Sequence, residues 1–479
     1  MSQKIDVLKM YPDAVALGEL FARAGFELYL VGGIVRDIIR HSQQDSSDTF
    51  TDFDLTTDAE PEQIQQIIAP WAEKMWDIGK EYGTISARKN GVIYEITTYR
   101  AEVYASDSRK PTVTFGKDLR EDLIRRDFTM NAMAARLPDG QIVDLFEGQR
   151  DLAEGIIRTP RSPQDSFSED PLRMMRAARF VARFNMKLAP EVFEAMSQMA
   201  SRIEIISAER VRDELVKLII APYPKAGIEV LVDSGLADFV LPELPALRME
   251  IDPAHHHKDV YWHSLKVMEQ AMDRETGPEG SVPAPDFILR FASLLHDIGK
   301  PATRKFESDG SVTFLQHELV GAKLARKRMR ALRFDNDTIK AVSRLIELHM
   351  RFYGYRDAGW SDSAVRRYVR DAGEQLQRLH RLSRSDVTTS NKRMARSLAA
   401  AYDDLEERID ALAAQEELDA IRPDLDGGQI MALLNLAPGP EVGRAYKFLM
   451  DLRMEEGPVG AEEASARLLS WWNEQQGVR

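Results

Sequence analysis

Hydrophobic and polar residues alternate with two different periods over the first 150 positions of the chain. Leu28 to Val31 is a short apolar run typical of a buried strand, and Thr84 to Ala87 and Val92 to Tyr99 have the composition of two further strands. Asn90-Gly91, between the last two, is a strong signal for a tight hairpin turn. Helical patterns lie between these strands, so this part of the chain predicts a mixed α and β structure.

The pattern changes at Asp151, after which it is almost wholly helical. Proline-containing breaks fall at 160–163, 222–224 and 241–253, and a low-complexity linker, Thr276 to Pro285, joins two later helical runs. The chain therefore predicts an α+β fold class, with a mixed first domain followed by helical domains. The predicted domains span residues 1–150, 151–250, 251–400 and 401–479.

The composition is that of a globular protein. Of the 479 residues, 44% are hydrophobic and 29% are charged, and the length suffices for roughly two to four domains. Cysteine is absent, so disulfides are excluded and any zinc site must use histidine and carboxylate ligands. Met1 to Leu20 lack the apolar core of a signal peptide and no stretch approaches the length of a membrane span, so we expect a cytoplasmic location.

The net charge of −13 argues against a protein that binds nucleic acid as an unspecific polycation. Arginines nevertheless cluster locally, first at 120–126 and 173–183 and again at 326–333. We interpret the cluster at 326–333 as a solvated helix face. The first two segments leave room for a local basic site.

The strongest chemical signal is a glycine pair that follows the first strand. Gly32-Gly33 lies between the strand and a helical run, where a phosphate can approach the backbone and the helix N-terminus offers free N–H groups. Asp52 and Asp54 then lie two residues apart in an extended apolar context, so both carboxylates point to one face of a strand. Carboxylates with substrate phosphates are what Mg²⁺ prefers, and together these features indicate metal-assisted nucleotidyl transfer. Taken singly, the glycines are typical of a tight turn and Asp-x-Asp of a solvated loop.

A second signal is the run of residues from Arg125 to Met133. The adjacent Arg125 and Arg126 can neutralise a triphosphate, since guanidinium forks match phosphate oxygens. Thr129 and Asn131 are candidates for contacts with a ribose hydroxyl. The alternative interpretation is a helix start whose charged residues face water.

A third signal is an arginine stripe that follows a predicted helix start. Asp170 precedes Pro171, which suits the first turn of a helix. Arg173, Arg176 and Arg179 recur every three residues and therefore share one helix face. A structural helix with a basic stripe is the alternative interpretation.

In this order, the motifs resemble the class II tRNA nucleotidyltransferase and poly(A) polymerase family, specifically bacterial CCA-adding enzymes that carry an HD domain. The resemblance covers nearly the whole chain and rests on five motifs in sequence. These are Val31–Asp37 with Asp52-Phe53-Asp54, Arg125–Met133, Asp151–Gly155, Glu169–Arg173 and Ser207–Glu214.

The resemblance implies a polymerase-β-like nucleotidyltransferase domain at 1–150, a helical neck and body at 151–250, an HD domain at 251–400 and a helical, tRNA-contacting tail at 401–479. It implies that Asp52 and Asp54 hold two Mg²⁺ ions while a tRNA 3′-hydroxyl attacks the α-phosphate of CTP or ATP and pyrophosphate leaves. Glu95, on the second hairpin strand, is the candidate for a third carboxylate. The residues implied to hold the nucleotide are Gly33, Arg36, Arg126, Arg176 and Arg179.

The Glu169–Arg173 motif has a physical logic of its own. Cytosine and adenine both present an amino donor beside a ring-nitrogen acceptor, whereas guanine and uracil present a carbonyl acceptor beside an N–H donor. A carboxylate that accepts and an arginine that donates fit the first two bases and repel the others. We therefore predict that Asp170 and Arg173 select C and A without a nucleic-acid template.

A separate constellation lies in the second half of the chain. His263, then His296-Asp297 and then Asp386 stand on predicted helices in the order that resembles the HD phosphohydrolase superfamily. Imidazole and carboxylate ligands suit metals such as Ni²⁺ or Mn²⁺. His317 and His349 lie where dinuclear members carry extra histidines, and helix-packing histidines are an equal alternative. We interpret 255–257 as a solvated histidine turn.

Two alternative functions remain open at this stage. The first keeps the fold but changes the product: a poly(A) polymerase, or an enzyme that adds only CC or only A. The polar segment 104–118, interpreted as a mobile loop, argues against a CC-only enzyme, because that subgroup is shortened there. The second alternative is an HD phosphodiesterase or phosphatase whose N-terminal half binds RNA, against which the intact Asp52 and Asp54 pair weighs. The sequence leaves the oligomeric state open.

Overall fold

A computed structural model describes nine stretches of the chain, and the protein folds into two compact units, Met1–Pro242 and Glu243–Arg479. The segment 255–257, predicted as a solvated turn, lies outside the described residues, as do residues 104–111 of the predicted mobile loop. The described residues are 11–41, 51–77, 79–103, 112–116, 118–249, 259–309, 311–388, 391–416 and 422–477.

The first unit is built on a seven-stranded mixed sheet. The described strands of this unit are Leu28–Val31 (β1), Asp52–Thr57 (β2), Lys74–Trp76 (β3), Thr84–Lys89 (β4), Val92–Thr98 (β5), Arg100–Val103 (β6), Thr112–Phe115 (β7), Met133–Arg136 (β8), Ile142–Asp144 (β9), Ile156–Ile157 (β10) and Lys187–Leu188 (β11). The strand order in the large sheet is β3-β4-β5-β2-β1-β8-β9. β2 and β5 are parallel, and the other neighbouring strands of this sheet are antiparallel.

The predicted hairpin is present, and one loop prediction is partly wrong. β4 and β5 pair antiparallel around Asn90 and Gly91, whose positive φ values of 49° and 81° are those of a tight hairpin turn. The last part of the loop predicted at 104–118 is a strand instead, because β7 pairs with β6 in a separate two-stranded ladder. The alternation of threonine with apolar residues at 112–115 suits such a strand.

Helices cover the sheet and then dominate the rest of the first unit. The aromatic ring of Phe53, between the two predicted metal ligands, is fully buried, with ring centroids 4.7 Å from Tyr11 and 5.2 Å from Tyr94. The helices of this unit are Pro12–Arg23 (α1), Gly33–His41 (α2), Pro61–Ile68 (α3), Leu119–Ile124 (α4), Gly148–Glu154 (α5), Pro163–Glu169 (α6), Leu172–Phe184 (α7), Pro190–Met199 (α8), Ala208–Ile219 (α9), Pro224–Asp233 (α10) and Ala237–Val240 (α11).

The second unit is helical apart from one short ladder, β12 (Lys305–Phe306) with β13 (Val312–Thr313), among the residues that the structure describes. Its last three described helices share a small core that includes Ile430, Leu449 and Leu468. The helices are Val260–Met272 (α12), Phe287–Leu295 (α13), Lys300–Thr303 (α14), His317–Ala331 (α15), Asn336–Leu348 (α16), Arg351–Ala358 (α17), Asp362–Ala372 (α18), Leu376–Ser385 (α19), Lys392–Glu416 (α20), Gly427–Leu434 (α21), Pro440–Glu456 (α22) and Ala461–Gly477 (α23).

The fold class predicted from the sequence, α+β with a mixed sheet followed by helical regions, is confirmed. The four domain ranges stay a prediction. Among the helices that the structure describes, none combines the length and apolarity needed to cross a membrane.

Candidate functional site

The glycine pair makes a turn that leads straight into a helix. Gly32 has φ +76°, a conformation that L side chains rarely adopt, and α2 begins at Gly33. A Cβ atom added at Gly32 would lie 2.9 Å from Nη1 of Arg126, so the glycine also lets that guanidinium approach the backbone. The turn therefore brings a helix N-terminus close to Arg126, one of the predicted nucleotide-binding arginines.

The side chains of Asp52 and Asp54 project from the face of β2 that is opposite Phe53. The side chain of Phe53 is buried in the core, so the period of two places both carboxylates on the other face of the strand. In the pairing of β2 with β5, Asp54 lies opposite Glu95, the third candidate carboxylate. Burial raises the pKa of Asp54; the charge of Asp52 adds to this shift and that of Arg126 opposes it. Burial also raises the pKa of Glu95, and the negative charges of Asp54 and Asp52 add to the shift. This concentration of negative charge on oxygen atoms fits a divalent cation.

A buried hydrogen-bond chain links the glycine turn to the arginine stripe. Arg36 donates to both carboxylate oxygens of Asp37 at 2.8 Å and to Oδ1 of Asn131 at 2.5 Å. Asn131 in turn donates to Oδ1 of Asp127 at 2.9 Å, and Arg176 donates from Nε to the other oxygen of Asp127 at 2.7 Å. Arg36 is nearly buried and links α2 to Asn131 and thereby to Asp127 and Arg176.

Two carboxylates, those of Asp127 and Glu214, form ion pairs with arginines of the stripe on α7. The pKa of Asp127 is lowered although burial opposes the shift, because Arg176 and Asn131 stabilise the carboxylate. Glu214, a buried residue of α9, lies 2.5 Å from Nε of Arg179 and 3.9 Å from Nη1 of Arg176. Two carboxylates therefore fix the directions of two guanidinium groups on α7.

The predicted base-reading pair lies at the junction of α6 and α7. Asp170 accepts the backbone N–H of Leu172 at 3.1 Å through Oδ1 and Nη2 of Arg210 at 3.0 Å through Oδ2. Arg173 donates from Nη1 to Glu169 at 2.9 Å and from Nη2 to the carbonyl oxygen of Arg125 at 2.5 Å. Both side chains are therefore held in defined directions.

These residues meet in one cavity of about 590 Å³ in the first unit, lined by eight arginines against five carboxylates. The local charge is thus positive in a chain whose net charge is −13, which suits a polyanionic ligand. Within the described part of the chain, Nε of Arg126 is buried without a hydrogen-bond partner, an unsatisfied donor beside the cavity. The lining includes Asp54 and Glu95 but neither Asp52 nor Thr129. Seven predicted nucleotide-binding residues also line the cavity: Gly33, Arg36, Arg126, Asp170, Arg173, Arg176 and Arg179.

The second constellation is also brought together, within the second unit. Nε2 of His263 lies 2.9 Å from Oδ1 of Asp386 and 3.3 Å from Nε2 of His296, which is 3.2 Å from Oδ2 of Asp297. The apolar helix predicted from Phe291 to Ile298 extends three residues too far, because α13 ends at Leu295 and His296 is its C-cap. The four predicted ligands therefore surround one point.

His317 and His349, left open by the sequence, lie at the same site. Nε2 of His317 is 3.2 Å from Oδ1 of Asp297 and 3.4 Å from Nε2 of His349. His296, Asp297 and His349 form a second ligand group beside His263, His296 and Asp386. The site thus offers two adjacent groups of donors that share His296.

Hydrogen bonds orient these rings. Nδ1 of His296, His317 and His349 lies 2.8, 2.9 and 2.7 Å from the carbonyl oxygens of Ser293, Phe314 and Ile346. A carbonyl can only accept, so each Nδ1 carries a proton, and Nε2 is the nitrogen of each ring that is placed to bind a metal. This is the arrangement that metal-binding histidines adopt, and imidazole with carboxylate donors fits a transition metal.

The pKa values of two buried histidines in this centre shift in opposite directions. Although burial opposes it, Asp297 and Asp386 raise the pKa of His296 to about 10. Burial, followed by the charge of His296, lowers the pKa of His349 to about 4. Burial opposes the shift at both carboxylates. Nevertheless, His296 and Lys300 lower the pKa of Asp297, and His263 and His296 lower the pKa of Asp386. Both carboxylates are therefore available as ligands.

Several features of the first site differ from the sequence interpretation or were missed by it. The hydroxyl of Thr129, predicted to face a ribose, donates to buried Asp151 at 2.7 Å instead. Asp127, Arg210 and Glu214 had no individual role from the sequence. Arg210 and Glu214 stand four residues apart on α9, a spacing that puts both on one helix face and was the available signal.

Family models match three parts of the chain. The Poly A polymerase head domain matches residues 28–158, the "Probable RNA and SrmB- binding site of polymerase A" matches residues 185–247, and the HD domain matches residues 260–391. The first match contains both predicted Mg²⁺ ligands, and the third contains every candidate ligand of the second centre.

A relative similar over almost its whole length decides the family. The A-adding tRNA nucleotidyltransferase of Deinococcus radiodurans is 33% identical over 456 residues, which cover 93% of this chain and 95% of that protein. The chain belongs to the tRNA nucleotidyltransferase and poly(A) polymerase family. Nucleotidyltransferases of this family generally use divalent metal ions.

Other members of the tRNA nucleotidyltransferase and poly(A) polymerase family match over shorter ranges. The CCA-adding enzymes of Streptococcus gordonii and Lactobacillus johnsonii are 38% and 42% identical over 243 and 228 residues. These matches cover 50% and 47% of this chain, which spans 58% and 53% of the two relatives.

Solved structures of CCA-adding enzymes share the fold over nearly the whole chain. The enzyme of Bacillus stearothermophilus in complex with CTP has a TM-score of 0.63 at 22% identity and covers 98% of this chain and 99% of its own. The Thermotoga maritima enzyme complexed with tRNA has a TM-score of 0.60 at 18% identity, with the same coverage. At these identities the likeness concerns the fold.

Proposed function

We propose that this protein adds nucleotides to the 3′ end of tRNA without a nucleic-acid template, using CTP and ATP to build or repair the terminal CCA and releasing pyrophosphate. The observation that carries the proposal is the positive cavity of the first unit, where Asp54 meets the arginine stripe and the Asp170 and Arg173 pair. The relatives that act on tRNA and the fold of a CCA-adding enzyme seen with CTP support the choice of substrates. The tRNA substrate also fits the cytoplasmic location expected from the sequence.

In the proposed reaction, the 3′-hydroxyl of tRNA attacks the α-phosphate, one P–O bond forms and the bond to pyrophosphate breaks. Arg126, Arg176 and Arg179 would hold the triphosphate, since each lines the cavity and guanidinium groups match phosphate oxygens. The glycine turn lets the phosphates approach the N-terminus of α2. Arg36, bound to Asp37 and Asn131, would act mainly by fixing the position of this turn.

The proposed Mg²⁺ ligands are Asp52 and Asp54, with Glu95 as the candidate third carboxylate. Their fit rests on an all-oxygen donor set on one strand face and on the raised pKa values of Asp54 and Glu95. When bound there, Mg²⁺ supplies charge neutralisation at the reacting oxygens. The arginines orient the nucleotide against these carboxylates, and this positioning carries much of the rate enhancement.

Base choice is assigned to Asp170 and Arg173. The carboxylate can accept from the amino group that cytosine and adenine share, while the guanidinium donates to their ring nitrogen. A uracil or guanine would bring a carbonyl oxygen to the carboxylate and an N–H to the guanidinium, which leaves polar groups unpaired. Such mismatches discriminate strongly in a desolvated site.

Asp170→Asn is expected to relax base choice, because an amide can donate to the carbonyl oxygen of uracil. The ratio of kcat/KM for CTP to that for UTP should fall by about 10- to 100-fold, the range for one mispaired polar contact. Incorporation of each labelled nucleotide into tRNA, measured singly, tests this, with exposed Glu209→Gln as the matched control. A variant that loses rate for all four nucleotides at an unchanged ratio would show that Asp170 is structural.

Addition of A alone is the second candidate, favoured by the full-length similarity to an A-adding enzyme. Acceptor tRNAs that end before CCA, after C and after CC separate the two candidates. CCA addition predicts that CTP extends the first two and ATP the third, whereas A addition predicts that only the third is extended. CC-only addition predicts the complementary result, and poly(A) synthesis predicts an unlimited A tail.

We further propose that the second unit carries a separate metal-dependent phosphohydrolase. Its ligands would be His263, His296, Asp297 and Asp386, with the second group of donors that includes His349. The convergence of Nε2 atoms and carboxylates supports this proposal, and imidazole ligands favour Ni²⁺ or Mn²⁺ over Mg²⁺. Its candidate substrates are 2′,3′-cyclic nucleotides or phosphomonoesters. The predicted tRNA-contacting role of 401–479 stays a prediction.

A further inference from the structure

Arg210 makes a contact that neither the sequence motifs nor the proposed function explains. Its Nη2 lies 3.0 Å from Oδ2 of Asp170, and its side chain is 53% exposed at the edge of the nucleotide cavity. An ion pair exposed to this degree contributes little to stability. Stability is therefore a weak reason for a guanidinium at this place.

The contact completes the orientation of the Asp170 carboxylate. Oδ1 accepts the N–H of Leu172 at the start of α7, which fixes one oxygen against the helix. The bond to Oδ1 restrains rotation of the carboxylate about Cβ–Cγ, and the bond from Arg210 to Oδ2 restrains it further. Each carboxylate oxygen has two lone pairs, so Oδ2 keeps one for the amino group of a base.

Helix α9, which carries Arg210, contacts both the base-reading carboxylate and the phosphate-binding arginines. Four residues later on α9, Glu214 is buried against Arg179 and Arg176, the proposed phosphate ligands. Arg210 and Glu214 therefore extend from one helix face, one toward the base-reading carboxylate and the other toward the phosphate-binding arginines. The distance between the two functions is set by a rigid element.

We propose that Arg210 is a specificity-determining positioning residue, which holds the Asp170 carboxylate in the plane where it accepts from cytosine or adenine. This inference rests on the proposed base-reading role of Asp170. Without Arg210, only the bond to Leu172 restrains rotation about Cβ–Cγ, and the geometry that separates an amino group from a carbonyl oxygen is less well defined. The arginine itself touches neither the base nor the reacting phosphate in this account.

The test uses the full-length protein with Arg210→Gln, Arg210→Lys and Asp170→Asn, and with Arg212→Gln as the control. Arg212 lies on the same helix outside the cavity and pairs with its neighbour Asp213. Single-nucleotide incorporation into tRNA yields kcat and KM for CTP, ATP, UTP and GTP. Thermal unfolding of each variant reports whether the fold is intact.

For Arg210→Gln we expect the kcat/KM ratio of CTP to UTP to fall by about 10-fold, mainly through a raised KM for CTP. Arg210→Lys keeps a cationic donor and should restore part of the ratio, while Arg212→Gln should leave it unchanged. If Asp170→Asn lowers the ratio but Arg210→Gln does not, the inference about Arg210 is wrong and the base-reading proposal stands. If neither variant changes the ratio, the base-reading proposal is wrong and the inference falls with it.

Discussion

Asp54→Asn is expected to stop incorporation of both CTP and ATP while the protein stays folded. The change removes one negative charge from the group of Asp52, Asp54 and Glu95 and keeps the shape of the side chain. Loss of a metal-ligating carboxylate should lower the rate by roughly 10³-fold or more, about 4 kcal/mol of transition-state stabilisation. Single-turnover incorporation of each labelled nucleotide into tRNA, with Mg²⁺ at saturation, measures the effect.

Two variants make the result specific. Asp58→Asn removes a carboxylate just beyond the same strand and outside the cavity, so it should keep near-normal incorporation. Glu95→Gln tests the third carboxylate, and a fall close to that of Asp54→Asn would place it among the ligands. Near-normal activity of Asp54→Asn would contradict the assignment of the carboxylate pair.

Asp297→Asn is expected to remove metal from the second unit and to leave nucleotide addition within about twofold of the unsubstituted protein. Oδ2 of Asp297 lies 3.2 Å from Nε2 of His296 and 3.6 Å from Nε2 of His263, and Oδ1 faces His317, so this one carboxylate contacts histidines of both groups of donors. Hydrolysis of a 2′,3′-cyclic nucleotide or a phosphomonoester, stimulated by Ni²⁺ or Mn²⁺, should fall by roughly 10²-fold or more. Metal content per chain, measured by mass spectrometry after equilibration with each metal, gives a readout that needs no substrate.

Exposed Asp273→Asn, at the end of α12, is the matched control and should change neither quantity. Equal metal content in the unsubstituted protein and Asp297→Asn would show that these residues form a helical core without a metal. Loss of nucleotide addition in a folded Asp297→Asn variant would contradict the independence of the two sites.

Local signals in the chain predicted the parts of the first site that lie close together in sequence. The glycine turn needs a positive φ, Asp52 and Asp54 share a strand face, and the hairpin at Asn90-Gly91 brings β5 into the sheet. The pairing of Asp54 with Glu95 required the register of β2 on β5, which periodicity alone leaves undetermined. The side chain of Thr129 was misjudged because its partner, Asp151, reaches it only through the packing of α5.

The parts that join distant segments were beyond local signals. The chain from Arg36 through Asn131 and Asp127 to Arg176 spans about 140 residues of sequence, and its members stand in three separate segments whose mutual contacts no local pattern reveals. His317 and His349 were an even choice between packing and metal binding. Their Nδ1 bonds to backbone carbonyls, visible in three dimensions, direct both Nε2 atoms toward Asp297.

The central proposal is template-independent completion of CCA, and one measurement tests it most directly. The purified protein is incubated with Mg²⁺, CTP, ATP, UTP and GTP and a tRNA that lacks its last three nucleotides, and the 3′ ends of the products are sequenced. The proposal predicts that most products end in CCA and that extension then stops, with UTP and GTP excluded. Products that are unextended, that end after CC, or that carry a run of A would contradict it.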